Sequence, residues 1–442
     1  MGYGSSNQKP IEFAGKTGHI EFINKENEKF LLECFIPQEN TSSTFLEKIV
    51  YKFKSIETNI RYVIAIDGGI SFISPKKDYP SSEFVAINIG ALLLDISKIE
   101  DLHREPFISP KEINKVKNIG KYQLLVPIKN VMHPKYKTFT EFVRGTIHEF
   151  FLKEDFELAE SLKWLAFREF NIPEKEWNLA THPYGNKKNI KLIRNNFDEN
   201  FTIIDEGKPV YIIDILRLHE LIDEHIGARG IVNYLLSVIE QMLMVSVIKK
   251  IYTKNPKKLS EFLFILDRPL AFFGQTANLH KPMRELISFI TNQDIQLNIV
   301  GLEKSGAFVE HAKALIKSGF LKKGQYVLLS NDYIYNNILP RNLNQYALYG
   351  SSTYYGGKLI FCSKEGNVNI CTIPIDKYEN IKKPSPINFI NLDIILSMLE
   401  KLKCDMYENA ILPIALINKA VSISKYPGEV SLERFVKEFI LN

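Results

Sequence analysis

Two apolar runs, 200 residues apart, each finish on an aspartate: Arg61-Tyr-Val-Ile-Ala-Ile-Asp67 and Phe262-Leu-Phe-Ile-Leu-Asp267. Both are continuous rather than alternating and rich in β-branched and aromatic residues, the pattern of strands covered on both faces. Terminal carboxylates of two such strands, brought to one sheet edge, repel each other unless a cation lies between them. An all-oxygen pair of this kind suits Mg²⁺ or Mn²⁺, and metal-assisted phosphoryl chemistry uses such pairs. The plainer reading is that each aspartate opens a turn. Spacing alone leaves both open.

The rest of the chain sorts around these runs. Residues 43–60 carry a helical pattern (Phe45, Ile49, Val50, Phe53). Gly68-Gly69 followed by Ile70–Ser74 predicts a hairpin. With Phe84–Leu94 it makes a three-stranded meander. Residues 96–205 are charged and carry Pro110, Pro127, Pro134, Pro173 and Pro183, which reads as an insertion. Its basic stretch Lys187–Arg194 is either a solvated face or a contact for a phosphate backbone. A helical period returns over 211–250. Helices near 279–290, 391–403 and 409–423 alternate with a strand at Leu297–Leu302 and paired runs at 346–362 and 368–374. The expected class is α/β, a mixed sheet flanked by helices with a large insertion. Its divisions are an N-terminal segment (1–60), a core (61–95 and 206–442) and an insertion (96–205).

Composition limits the function. Apolar residues at 45% and aromatics at 12% supply a large core, while 56 basic against 51 acidic residues leave a net charge of only +5. That is no blanket nucleic-acid signature, so any basic surface is local. Cys34, Cys362, Cys371 and Cys404 form no CxxC and no zinc spacing, which fits a reducing, cytoplasmic setting. Cys362 and Cys371 are isolated buried thiols or neighbours on adjacent strands. No apolar leader and no run of about 18 apolar residues is present, so no membrane association is expected. The opening MGYGSS, with Ser6, fits a polar disordered start better than a myristoylation site.

Several side chains carry possible chemistry. Glu240 falls among Val238, Ile239, Met242 and Leu243, and a buried acid needs a partner, either a metal or Lys249 or Lys250. His219, Glu220, Asp223, Glu224 and His225 do not make a zincin pattern, because Asp223 stands four residues after His219; a polar helix end before Gly227 is expected. Gly301-Leu-Glu-Lys304-Ser305-Gly306 is no Walker A loop, but its lysine is placed to meet a phosphate near a helix start. The segment from Tyr349 through Tyr354 and Tyr355 to Gly357 is a glycine-bent hairpin or a base-stacking edge.

In this order, these segments resemble the NurA nuclease family. The carrying residues are Ala65-Ile-Asp67-Gly68-Gly69, Ile213–Glu224 before Glu240, and Leu266-Asp267-Arg-Pro-Leu-Ala-Phe-Phe-Gly274. Val300–Phe308, Tyr349–Gly357 and Leu412–Asn418 complete the set, spanning about 60–425 with 96–205 uncovered. The resemblance implies an RNase H-like (Piwi-like) core, Mn²⁺- or Mg²⁺-dependent DNA cleavage, a homodimer and a hexameric HerA-type ATPase as partner. It implies a metal set of Asp67, Glu240 and Asp267; the residues themselves add Lys304 on a phosphate and Arg268, Tyr354 and Tyr355 as expected DNA contacts. Arg268 stands where the family has glycine. Asn418 stands where it has a C-terminal histidine, and Tyr407 loosely matches a family tyrosine. The expected function is a metal-dependent deoxyribonuclease in DNA end processing or antiphage defence. The alternative is a catalytically weak adaptor docked on the ATPase.

Overall fold

The computed structural model describes residues 29–30, 49–74, 81–97, 117–153, 157–339, 347–403 and 411–421. Within them the strands are β1 (Val50–Lys52), β2 (Tyr62–Ile73), β3 (Glu83–Asp95), β4 (Lys117–Lys129), β5 (Glu176–His182), β6 (Gly185–Ile193), β7 (Thr202–Asp205), β8 (Lys208–Tyr211), β9 (Phe262–Leu266), β10 (Asn298–Glu303), β11 (Gln325–Leu328), β12 (Gly356–Cys362) and β13 (Val368–Pro374). The helices are α1 (Phe139–Phe151), α2 (Leu158–Ala166), α3 (Val232–Lys254), α4 (His280–Thr291), α5 (Ala307–Lys317), α6 (Asn331–Asn337), α7 (Leu392–Lys401) and α8 (Leu412–Val421).

Nine strands form one mixed sheet in the order β1-β11-β12-β13-β10-β9-β2-β3-β4. β10, β9 and β2 are parallel, and every other pairing is antiparallel. The central strands are covered on both faces, which is why their sequences do not alternate. Ile64, Ile66, Phe264 and Leu266 face a core shared with α1–α4, while Val63, Ala65, Leu263 and Ile265 face one shared with α7 and α8. α3 is long and apolar enough to cross a membrane by composition, yet most of it is buried in this fold. Its apolar surface all round is that of a core helix.

Three expectations are corrected. Gly68 and Gly69 do not turn the chain: β2 runs straight through them and pairs with β3 from Tyr62↔Asp95 to Ile73↔Phe84. Gly68 serves close approach, because a Cβ there would stand 2.5 Å from a Leu236 methyl of α3. Gly90 does the same for α8, a Cβ meeting Ile417 at 2.5 Å. The third strand of the meander is β4, inside the stretch expected to be an insertion. β4 is an edge strand, where Pro127 costs no central hydrogen bond. Finally, Val50–Lys52 is a strand, not helix, because it pairs with the edge of β11 and stacks Tyr51 on Tyr326. Residues 43–48, Cys34, Cys404, Ser6 and Tyr407 lie outside the described residues.

Candidate active site

The parallel register of β2 and β9 runs to Ile66↔Leu266, so Asp67 and Asp267 are the next residues on neighbouring strands. β9 stops there, although the Asp267 amide still reaches the Ile66 carbonyl at 3.4 Å. β2 continues to Ile73 against β3 alone. Asp67 therefore sits at the gap where the sheet loses a neighbour, a crevice outside the carboxyl ends of parallel strands, where open α/β sheets bind ligands. β10 pairs Gly301 with Leu266, so it ends beside the two aspartates and delivers Lys304.

Alternation along β2 places Asp67 on the face of Val63 and Ala65, the face α8 covers. Lys304 Nζ lies 2.5 Å from Asp267 Oδ2. Asn418, on α8, donates its amide to Asp67 and accepts from Lys304, the orientation that satisfies both partners. Glu240 comes from the opposite face. It is buried in α3, and its Oε1 would stand 3.0 Å from a Cβ on Gly68, so the glycine lets the carboxylate reach the strand. Glu240 Oε2 is ion-paired with Arg268, the residue after Asp267. Glu240 Oε1 is buried without a hydrogen-bond partner.

Burial, and then the charge of Asp267, push the Asp67 carboxyl up to about 6, with Lys304, the Gly68 amide and Arg268 pulling the other way. Burial pushes Glu240 up to about 7 against the opposing pull of Arg268, and the charges of Asp67 and Asp267 add to the rise. Burial is thus the main reason these carboxyls hold their protons, and the repulsion among the acids adds to it. Among the described residues, no three His, Cys, Asp or Glu side chains stand together as a ready ligand set. The donors nevertheless fit a hard divalent cation. The two adjoining carboxylates of Asp67 and Asp267, with the Asn418 amide beside them, are all-oxygen ligands of the kind Mn²⁺ and Mg²⁺ take.

Of the expected residues, the structure brings Asp67, Asp267, Lys304 and Asn418 together and sets Glu240 with Arg268 on the other side of β2. Arg268 turns its Nε edge to Glu240 in that ion pair. Tyr354 and Tyr355 are not a stacking surface, because both are buried. Tyr354 accepts from the Tyr349 hydroxyl, and Tyr355 donates to Gln241 Oε1 at 2.8 Å and lies against Phe272. Lys249 and Lys250 do not pair with Glu240; they reach Glu157 and Glu160. His219 meets the Thr181 carbonyl, and Glu224 caps the start of α1 through the amides of Phe139 and Thr140. Cys362 and Cys371 are buried free thiols that do not face each other, Cys371 pairing with Leu359.

Sequence reasoning missed Lys313 and Lys317. They lie on α5, which starts just after Lys304, and with Lys304 they line a cavity of about 690 Å³ whose apolar wall includes Ile370, Ile411 and Ile414. Their i,i+4 spacing behind the Lys304 turn is the signal that could have found them. A larger cavity of about 830 Å³ lies elsewhere, between the 135–141 segment and the β5–β6 turn, and none of the carboxylate cluster lines it.

No protein-family model matches the sequence, and no curated protein matches it. Solved structures similar to this chain include NurA nucleases. The NurA nuclease from Sulfolobus solfataricus shares 9% identity over 97% of this chain and 98% of its own, at a TM-score of 0.36. A second NurA structure shares 11% identity over 96% and 95% of the two chains, at 0.28. NurA with manganese shares 12% over 95% and 98%, at 0.29.

Proposed function

We propose that this protein is a divalent-metal-dependent deoxyribonuclease whose metal is held by Asp67 and Asp267. The observation that carries this reading is the parallel register Ile66↔Leu266, which sets two carboxylates side by side at a sheet gap, where burial and their mutual repulsion disfavour the metal-free ionised pair. The order β4-β3-β2-β9-β10, a meander followed by two parallel strands, supports an RNase H-like core. Manganese, the ion present with one of the NurA structures, belongs to the class of hard cations these oxygens would take.

The chain's own residues have distinct tasks. Asp67 and Asp267 supply the ligand oxygens, with Asn418 holding Asp67 in place through its amide. Lys304 is half-exposed, so it can leave Asp267 for a phosphate oxygen once a cation takes that carboxylate. When bound, the metal lowers the pKa of the attacking water and stabilises charge developing on the phosphate. Lys313 and Lys317 line the groove that leads away from the site and would hold the strand by its backbone. With a net charge of +5, DNA affinity is modest, which favours delivery by a hexameric HerA-type ATPase to a homodimer of this chain.

The test is incubation of the full chain with end-labelled linear duplex and single-stranded DNA in Mn²⁺, Mg²⁺ or EDTA. Cleavage with either metal and none in EDTA is the expected result. One observation favours the adaptor instead: the chain's own Arg268 and Lys304 already pair with Glu240 and Asp267. Absence of cleavage with both metals, with and without the ATPase, would overturn the nuclease reading in favour of the adaptor.

A further inference from the structure

We propose that Arg268 is a built-in second cation of this centre, so that the site takes one divalent ion, on Asp67 and Asp267, rather than two. The inference rests on the metal-dependent reading above and specifies its stoichiometry. It grows from the way β2 divides the acids. Asp67 faces α8, where Lys304 and Asn418 meet it, whereas Glu240 rises from α3 behind Gly68 and is held by Arg268.

A two-metal phosphoryl-transfer centre keeps its ions about 3.5–4 Å apart, with carboxylates between or flanking them. Here the third carboxylate is already committed. Glu240 is 1% exposed, one of its oxygens carries the guanidinium, and only Oε1 is left. A second metal on Glu240 would have to displace Arg268 or lie against it. Like charges in a buried setting exclude each other far more strongly than at the surface. Arginine suits the post, because its guanidinium stays charged at any working pH and grips a carboxylate from a fixed plane.

The charges close on this arrangement. Three carboxylates, Arg268, Lys304, one divalent ion and the single negative charge of a bound phosphodiester sum to zero. A second divalent ion would leave the buried site with two uncompensated positive charges. The sequence places the arginine where it must be: Asp267 points to the metal side, and the next residue falls toward α3. Arg268 also lies close enough to Asp67 for its charge to be felt there, so it stabilises the metal-side carboxylates without coordinating anything.

The experiment is metal counting on the full chain without DNA, by calorimetric titration with Mn²⁺ and by elemental analysis after desalting. Wild type is expected to bind one Mn²⁺ per chain and Arg268→Ala two, with Arg268→Ala/Glu240→Gln returning to one. Because Arg268→Ala leaves a buried carboxylate unpaired and can fail to fold, Glu240→Gln alone provides a second reading. If Glu240 belongs to the arginine, this variant still binds one Mn²⁺ per chain, with an affinity lowered by the uncompensated Arg268 charge but less than in Asp267→Asn. Loss of Asp267 in Asp267→Asn lowers the wild-type affinity by at least about tenfold, the scale of a perturbed metal shell. Two Mn²⁺ per wild-type chain, or one in both wild type and folded Arg268→Ala, overturns the inference and leaves the metal reading standing. So does an affinity loss in Glu240→Gln as large as that in Asp267→Asn. No Mn²⁺ bound by any folded variant overturns the metal-dependent reading itself.

Discussion

Asp67 and Asp267 stand at adjoining positions of two parallel strands, one step beyond the last paired residues, Ile66 and Leu266. The arrangement holds two acids at a distance neither would choose in water. The cost falls on the folded protein and varies with pH.

The contribution of Asp67 and Glu240 to the stability of the metal-free chain is expected to fall as pH rises, against the rise that buried neutral histidines such as His148 give over the same range. Asp67 has its folded pKa raised to about 6 and Glu240 to about 7, both above ordinary carboxylate values. Between the unfolded and folded pKa values the native state binds more protons, so the slope of stability against pH is negative. The advantage is complete below about pH 4 and gone above about pH 7. For Asp67 a shift of roughly two units corresponds to about 3 kcal/mol. Urea denaturation in EDTA from pH 4 to 8, compared between wild type and Asp67→Asn, isolates this contribution: wild type should lose stability relative to the variant as pH rises, and saturating Mn²⁺ should remove that loss. A stability difference between the two that does not change from pH 4 to 8 without metal contradicts the assignment.

The groove beside Lys304 makes a separate prediction about DNA. Replacing Lys313 and Lys317 by Glu should weaken binding at all sequences alike, because phosphate contacts carry no base information. Each lost contact should reduce the slope of log affinity against log salt by about 0.7–0.9. Fluorescence anisotropy over a salt series measures it. An unchanged slope places the DNA elsewhere.

Arg144 and Asp214 form a buried bidentate pair at 2.8 and 2.6 Å, well apart in sequence and role from the acidic cluster. Asp214 also accepts the Tyr211 amide, and the pair ties α1 to the segment leading into α3. Burial by itself would raise the Asp214 carboxyl, but Arg144 outweighs it and holds the pKa below the usual carboxylate value. Arg144→Ala strands a buried charge and should cost about 3–5 kcal/mol. The urea midpoint should drop accordingly, while Mn²⁺ stoichiometry in the folded fraction stays as in wild type.

The aspartate pair was legible in the sequence because continuous apolar runs announce strands buried on both faces, and such strands carry their last residues to a common edge. Gly68-Gly69 misleads because a glycine pair in sequence does not distinguish a turn from a close approach, and here it is α3 that needs the space. β4 is hidden by its own position: an edge strand can carry lysines, a glycine and Pro127 without harm. Tyr354 and Tyr355 look exposed beside so many glycines, yet those glycines sit at a packed crossing. The partner of Glu240 is the least visible feature. It comes from 28 positions downstream, on a residue whose charge is evident but whose direction depends on which face of the sheet it meets.

The most direct measurement is the initial rate of single-stranded DNA cleavage against Mn²⁺ concentration, compared for wild type, Asp67→Asn and Asp267→Asn. Each substitution keeps the side chain's shape and removes one anionic ligand. The account predicts a saturable, EDTA-sensitive rate for wild type and no measurable cleavage by either variant, with both variants folded and the metal-free Asp67→Asn protein at least as stable as wild type near neutral pH. Near-wild-type cleavage by either variant at saturating Mn²⁺ would contradict it.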